Sequence, residues 1–246
     1  MGLRWSLGYA VLAYLLAVLT SVYLIAFVGN LGVPKSIDVG ATSSLVVSVV
    51  IDLALLGLFG LQHSAMARRG FKAWWTRIVA PPAERSTYVL ATTLTLMLVM
   101  WQWRAIGEPV IWRVVAPAAA LAVWAVFALG WALVLLSTFQ IDHFELFGLA
   151  QPLAALRGLP LRDSPFRTPF LYRYVRHPLY LGFLLAFWAT PVMTSGHLLF
   201  ALGMTVYVGV GIAFEERDLV THFGDRYRAY RMEVGMILPW RKARRT

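Results

Sequence analysis

The chain has no cysteine, which removes disulfides, thiolate metal ligands and any cysteine nucleophile at once. Charge is scarce too: 14% of the 246 residues are Asp, Glu, Lys or Arg, against about 25% in soluble domains. Acidic groups are the scarcer sign, 12 Asp and Glu against 22 Lys and Arg. The sequence also lacks internal repeats and low-complexity linkers. What remains is apolar, 59% of the chain, a composition whose natural solvent is lipid and which leaves little length for a separate soluble domain. Any chemistry must use oxygen and nitrogen groups or a bound cofactor, and no metal site is assigned.

Apolar runs at 7–29, 44–66, 87–103 and 112–137 each have the length of a transmembrane helix, roughly 17–25 residues. Only Arg4 precedes the first run and no small-residue cleavage site follows it, so the run reads as a retained helix rather than a signal peptide. Two shorter runs, Leu179 to Met193 and His197 to Phe214, flank Thr194-Ser195-Gly196, a cluster suited to a tight helical turn. At about 1.5 Å per residue these arms reach about 23–28 Å, slightly short of a hydrocarbon core. The expected fold is an all-α integral membrane protein. It has four full transmembrane helices, a C-terminal helical hairpin (five to six spans in all) and a cytoplasmic C-terminal helical cover. It reads as one domain, 1–246, with a bundle at 1–137 and the hairpin and cover at 138–246.

With the N-terminus inside, segments 1–6, 67–86, 138–178 and 215–246 hold 19 of the 22 Lys and Arg, and the outer loops hold only Lys35, Arg104 and Arg113. This positive-inside asymmetry predicts an inner-membrane protein with both termini cytoplasmic. It also accounts for the net charge of +10 without nucleic acid as a partner; the bilayer is the partner implied. The tail Arg241-Lys242-Ala243-Arg244-Arg245 reads as part of that topology signal, or as a contact to anionic headgroups. Trp101, Trp103 and Trp112 read as aromatic-belt anchors, and His197 and His222 as loop or turn residues. Asp52, inside the second run, needs a partner in the bundle and reads as structural glue or as part of a pocket.

Polar chemistry concentrates in Tyr172-Arg173-Tyr174-Val175-Arg176-His177-Pro178-Leu179-Tyr180-Leu181-Gly182. Pro178 suits the first turn of a helix and places His177 at its start, where free N–H groups favour a carboxylate or phosphate with Arg176 as charge partner. Gly182 leaves room for a ligand or a neighbouring helix. Counting along both hairpin arms returns Glu215 and Glu216 to the depth of Arg176 and His177. Such a cluster either binds an ammonium group and hydroxyls or forms an interfacial ion-pair network.

Arg-His-Pro-x-Tyr-x-Gly, then Glu-Glu-x-x-Leu, then Phe223-Gly224 with Tyr227 and Tyr230, resembles the isoprenylcysteine carboxyl methyltransferase and phospholipid methyltransferase superfamily over about 165–239. Leu61-Gln62-His63-Ser64, Glu84-Arg85-Ser86-Thr87-Tyr88, the stretch Ile141 to Gly148 and the stretch Phe187 to Thr194 extend the match. With them the chain is similar to the methanethiol S-methyltransferase group. NnrU-like proteins share this membrane scaffold.

The resemblance implies a membrane enzyme using S-adenosylmethionine, with S-adenosylhomocysteine as product and a small volatile thiol as methyl acceptor. Cofactor-binding positions would be Tyr172, Arg176, His177, Tyr180, Gly182, Glu215 and Glu216. The 138–246 part then reads as the cofactor-binding hairpin and cover. The tyrosines serve either as cation–π partners of a sulfonium or as membrane-edge anchors.

A thiol attacks as its thiolate, so a base near it is useful. His143, with Asp142 beside it to orient it, and His63 are the candidate catalytic residues; each also reads as an ordinary hydrogen-bonded interfacial histidine. Glu84-Arg85 reads as an edge pair or as part of a site. Arg226, Tyr227, Tyr230 and Arg231 either close over the cofactor or pack on the hairpin. Other readings are a prenylcysteine or phospholipid acceptor, a haem-associated membrane subunit, and a transporter.

Overall fold

The structure, a computed structural model, describes residues 2–160 and 166–239; the basic tail Arg241 to Arg245 lies outside the described residues. Within these bounds the chain is a succession of helices: α1 (Leu3–Gly29), α2 (Leu45–Ala67), α3 (Arg69–Trp75), α4 (Pro81–Gln102), α5 (Pro117–Ile141), α6 (His143–Leu146), α7 (Ala150–Leu156), α8 (Pro178–Trp188), α9 (Ser195–Phe223) and α10 (Asp225–Glu233). A 3-10 turn, Phe170–Arg173, precedes α8, and two short extended segments occur at Val110–Arg113 and Val192–Thr194.

Among the described residues, α1, α2, α5 and α9 are long and apolar enough to cross a membrane. The third expected span is present as a helix, α4, but is not one of these four, because Glu84, Arg85 and four threonines dilute its apolar character. The fourth expected span starts later than residue 112. Val110–Arg113 is extended, in a stretch rich in β-branched residues, and Pro117 sets the start of α5.

The hairpin also departs from its sequence reading. α8 is an 11-residue helix that stops at Trp188, because Pro191 biases the residues before it away from helix. The following Val192–Thr194 is extended rather than a tight turn. α9 is then 29 residues long and carries Glu215 and Glu216 within it, since nothing breaks the helix until Gly224 at φ +58°. The segment expected to form a cover is therefore helical, the end of α9 followed by α10, with a break at Gly224.

The chain forms two compact units. One comprises residues 1–112, 142–163 and 193–200; the other comprises 113–141, 164–192 and 201–246. In the first, α4 packs on both α1 and α2, and α1 presents the small buried residues Ala10, Ala13 and Ala17 at helical spacing. Asp52 is fully buried there and accepts the backbone N–H of Arg104 at 2.9 Å, which gives the intramembrane carboxylate the role of a tie between α2 and the chain after α4. Trp103, read from sequence as a belt anchor, is instead fully buried, with Nε1 donating to the Ile37 carbonyl at 3.1 Å. Trp101 is well exposed, as an anchor requires. His197 is buried at the start of α9, not in a loop, and its backbone N–H donates to Thr194 Oγ1.

In the second unit α5 packs on α8. Contact is closest at Gly130 and Gly182: a Cβ on Gly182 would lie 2.6 Å from the Gly130 carbonyl oxygen and 2.8 Å from the Val134 nitrogen. The room left by Gly182 is thus filled by a neighbouring helix. Trp131 stands edge-on to Phe183 and Phe187 beside this crossing.

Candidate active site

Two clusters gather the functional candidates, one in each unit. In the second unit Arg176 and His177 sit between the 3-10 turn and α8, with His177 as the residue preceding Pro178 at the helix start. Their backbones are held by the chain beyond α10: Arg176 N–H donates to the Gly235 carbonyl at 2.9 Å and His177 N–H to that of Met236 at 3.1 Å. Val175 and Gly235 form a parallel bridge in the same place.

Glu216 is the hub. Its Oε1 accepts Arg176 Nε at 2.7 Å, lies 3.2 Å from His177 Nε2 and accepts the Tyr227 hydroxyl at 3.5 Å. Its Oε2 pairs with Arg231 Nε at 3.1 Å. Arg176 Nη1 also donates to the carbonyls of Val234 (2.6 Å) and Arg231 (3.2 Å), satisfying acceptors that the end of α10 leaves open. The Tyr230 hydroxyl donates to the Tyr172 carbonyl at 2.5 Å. Arg176, His177, Glu216 and Tyr227 are all buried. The two sequence-distant motifs therefore meet, and what joins them is a buried, charge-assisted network.

Not every member of the motif is absorbed by that network. Glu215 keeps 44% of its side chain exposed and approaches His177 Nδ1 only at 3.9 Å. α8 starts at His177 without a side-chain cap, so its first-turn N–H groups have no partner within their own helix. The Tyr180 ring lies 5.6 Å from that of His177. Burial, reinforced by the Glu215 charge at Tyr172 and by Glu216 at Tyr227, pushes both phenols above the ordinary tyrosine range; Tyr230 is pushed up to about 12 by burial and Glu216 against the pull of Arg176. All three stay neutral at physiological pH.

This set of groups suits a ligand with an anionic end, an ammonium or hydroxyl group and a positive centre. S-Adenosylmethionine, the group the family resemblance implies, would offer all three, and the half-exposed carboxylate of Glu215 near the uncapped start of α8 is what these residues present to such a group. Arg176 was expected to meet the incoming carboxylate; its Nε and Nη1 instead hold Glu216 and the end of α10.

The first unit holds the other candidates. His143 opens α6 and is buried against Phe147, ring centroids 4.8 Å apart, with Nε2 3.0 Å from the Tyr14 hydroxyl. Burial, opposed by Asp142, holds His143 below the ordinary histidine range. Asp142 was expected to orient His143; its Oδ1 accepts the Glu145 N–H at 3.0 Å and caps α6, and the hydroxyl at Nε2 is that of Tyr14. His63 lies between Phe59 and Tyr88, with Nε2 2.8 Å from the Tyr88 hydroxyl and Nδ1 3.2 Å from Thr92 Oγ1.

Phe147 packs on His143 and against the core cluster containing Tyr88, whose hydroxyl meets His63. The Glu84-to-Tyr88 motif secures this arrangement. Arg85 Nε donates to the Leu146 carbonyl at 2.8 Å and Ser86 Oγ to that of Gly148 at 2.7 Å, fastening the loop that carries His143 to α4. Gly148, at φ +81°, comes so near that a Cβ would lie 2.7 Å from the Ser86 nitrogen.

Sequence reasoning did not single out Tyr14, the carbonyls that receive Arg176, or the role of Ser86. Tyr14 lies in an apolar run 129 residues from His143, and nothing local marks it.

Residues 52–237 match the family model described as NnrU protein. The methanethiol S-methyltransferase of Mycobacterium tuberculosis is 54% identical over 232 residues, 94% of this chain and 95% of that protein. Methanethiol S-methyltransferase 1 of Bradyrhizobium diazoefficiens is 53% identical over 235 residues, 96% and 82% of the two chains. Nurim of Rattus norvegicus is 35% identical over 185 residues, 72% of this chain and 70% of its own. No solved structure matches.

Proposed function

Because the chain belongs to the NnrU protein family and matches methanethiol S-methyltransferases almost end to end, we propose that it transfers a methyl group from S-adenosylmethionine to methanethiol, giving dimethyl sulfide and S-adenosylhomocysteine. Identity above 50% over more than nine tenths of the chain carries this reading. The half-exposed Glu215 near the uncapped start of α8 supports the donor side of it.

The first-turn N–H groups of α8 would receive the donor's carboxylate, and Glu215 its ammonium or ribose hydroxyls. Tyr172 and Tyr180 offer aromatic faces to the sulfonium, a contact worth about 0.5–2 kcal/mol each. Arg176, His177 and Glu216 hold that frame rigid, and Gly182 lets α8 close on α5 beneath it. When bound, S-adenosylmethionine supplies an electrophilic methyl group. The protein's own work is to align the thiol with that methyl, exclude water and accept one proton. His143 and His63 are the candidate bases for that proton, and Asp142 shapes the helix that carries His143.

A methanethiol-sized acceptor dissolves in lipid and needs no long groove. The basic loops on one face and four membrane-length helices fit a bacterial inner-membrane enzyme with cytoplasmic termini. Purified protein given donor labelled with ¹³C in its methyl group should place the label in dimethyl sulfide when methanethiol is supplied. Label transferred instead to a prenylcysteine or a phospholipid, with none in dimethyl sulfide, would move the acceptor to that class.

A further inference from the structure

α2 ends at Ala67, and Arg68, extended at φ −72° and ψ 141°, separates it from the short helix α3. The stretch around α3 carries charge of one sign. No Asp or Glu occurs between Asp52 and Glu84, whereas Arg68, Arg69, Lys72 and Arg77 all follow closely on the end of a membrane-length helix. At about 3.6 residues per turn, Arg69, Lys72 and Thr76 share one face of α3, and Phe71 and Trp74 lie away from it. The rings of Phe71, Trp74 and Trp75 pack together with centroids 5.5–5.8 Å apart, while Trp74 and Ile78 stay exposed.

The cationic face is rich in donors and short of acceptors. Lys72 is half-buried, yet among the described residues its Nζ makes no hydrogen bond or ion pair. Burial, reinforced by the charge of Arg85 and opposed by Glu84, holds Lys72 below the ordinary lysine range, so a second cation bears on the same place. Arg69 and Arg77 are exposed beside it. A half-buried ammonium without an acceptor, among further cations and bordered by exposed aromatic and aliphatic side chains, suits an anion carried on an apolar body. Inorganic phosphate would meet the cations and leave Trp74 and Ile78 in water. A phospholipid meets both.

We propose that α3 and the turn after it form a binding site for an anionic phospholipid, its headgroup phosphate held by Arg69, Lys72 and Arg77 and its acyl chains lying against Trp74 and Ile78. The lipid here is a bound partner, not a methyl acceptor. The helix lies in the plane of the bilayer surface, with its cations among the headgroups and its aromatic cluster at the boundary of the chains.

The test titrates phosphatidylglycerol, with phosphatidylcholine as comparator, into the whole chain purified in detergent and reads the retained lipid by native mass spectrometry. The wild type should retain phosphatidylglycerol in clear preference. Arg69→Gln with Lys72→Gln should lower that affinity roughly fivefold for each cation removed. Arg4→Gln with Arg157→Gln removes the same charge from exposed positions elsewhere and should leave the affinity near that of the wild type. The apolar half is read by fluorescence: phosphatidylglycerol brominated on its acyl chains should quench the wild type more than Trp74→Phe. Inorganic phosphate should not displace the lipid. No preference for phosphatidylglycerol, or equal losses in the two double variants, would overturn the site. Displacement by inorganic phosphate would overturn the lipid as its occupant, and quenching unchanged in Trp74→Phe would overturn the placement of the chains.

Discussion

At Glu216 four side chains from two stretches of chain converge on one carboxylate, while Glu215 beside it stays half-exposed. The two neighbours should therefore fail differently when truncated. Glu216→Ala leaves Arg176 buried without its counter-charge, a loss that costs about 3–5 kcal/mol in comparable pairs, so the variant should unfold early in detergent. Glu215→Ala should melt within about 0.5 kcal/mol of wild type yet bind S-adenosylmethionine at least about tenfold more weakly by calorimetry. Similar melting and similar binding in the two variants would contradict the division of roles.

His143 gives a pH prediction of definite sign. Burial lowers its proton affinity in the folded state, so as pH falls through about 6.5 the unfolded chain takes up a proton that the folded chain resists. This contribution to stability is full above that pH and declines below it. His143→Gln, which keeps a polar partner for Tyr14, should show a shallower fall in Tm between pH 7 and pH 5 than the wild type. A parallel fall in both would remove His143 from that account.

Among the elements, α8 is short but fixed twice, by the Glu216 network at its start and by the glycine crossing with α5 near its middle. Gly182→Ala would put a Cβ 2.6–2.8 Å from backbone atoms of α5, which must then give way, and overpacking of this kind costs roughly 1–3 kcal/mol. The expected result is a lowered melting temperature with weakened donor binding; an unchanged Tm would show that the crossing is looser than these distances require. Gly148→Ala acts on the other unit by lifting the His143 loop from Ser86. Its kcat should fall while affinity for S-adenosylmethionine stays as in the wild type.

At the scale of the whole molecule, the membrane helices were legible because a span declares itself by length and hydropathy alone, as with α1, α2 and α5. The meeting of Arg176 and His177 with Glu216 was legible for a related reason: a helical hairpin returns the chain to its starting depth, so residue counting suffices. The breaks were harder to read. Pro191 ends α8 early and Gly224 alone ends α9, so two arms that read as similar in length differ by 18 residues, 11 against 29. Partners drawn from apolar runs left no local mark, as with Tyr14 on His143 and Trp103 in the core. Contact chemistry between distant apolar segments is set by packing, which periodicity does not encode.

The central claim is thiol methylation by this chain, and headspace gas chromatography tests it most directly. Membranes containing the protein, supplied with S-adenosylmethionine and methanethiol, should release dimethyl sulfide, and membranes containing Glu215→Ala should release far less at limiting donor. No dimethyl sulfide above control membranes, from wild-type protein shown to be folded, would contradict the account.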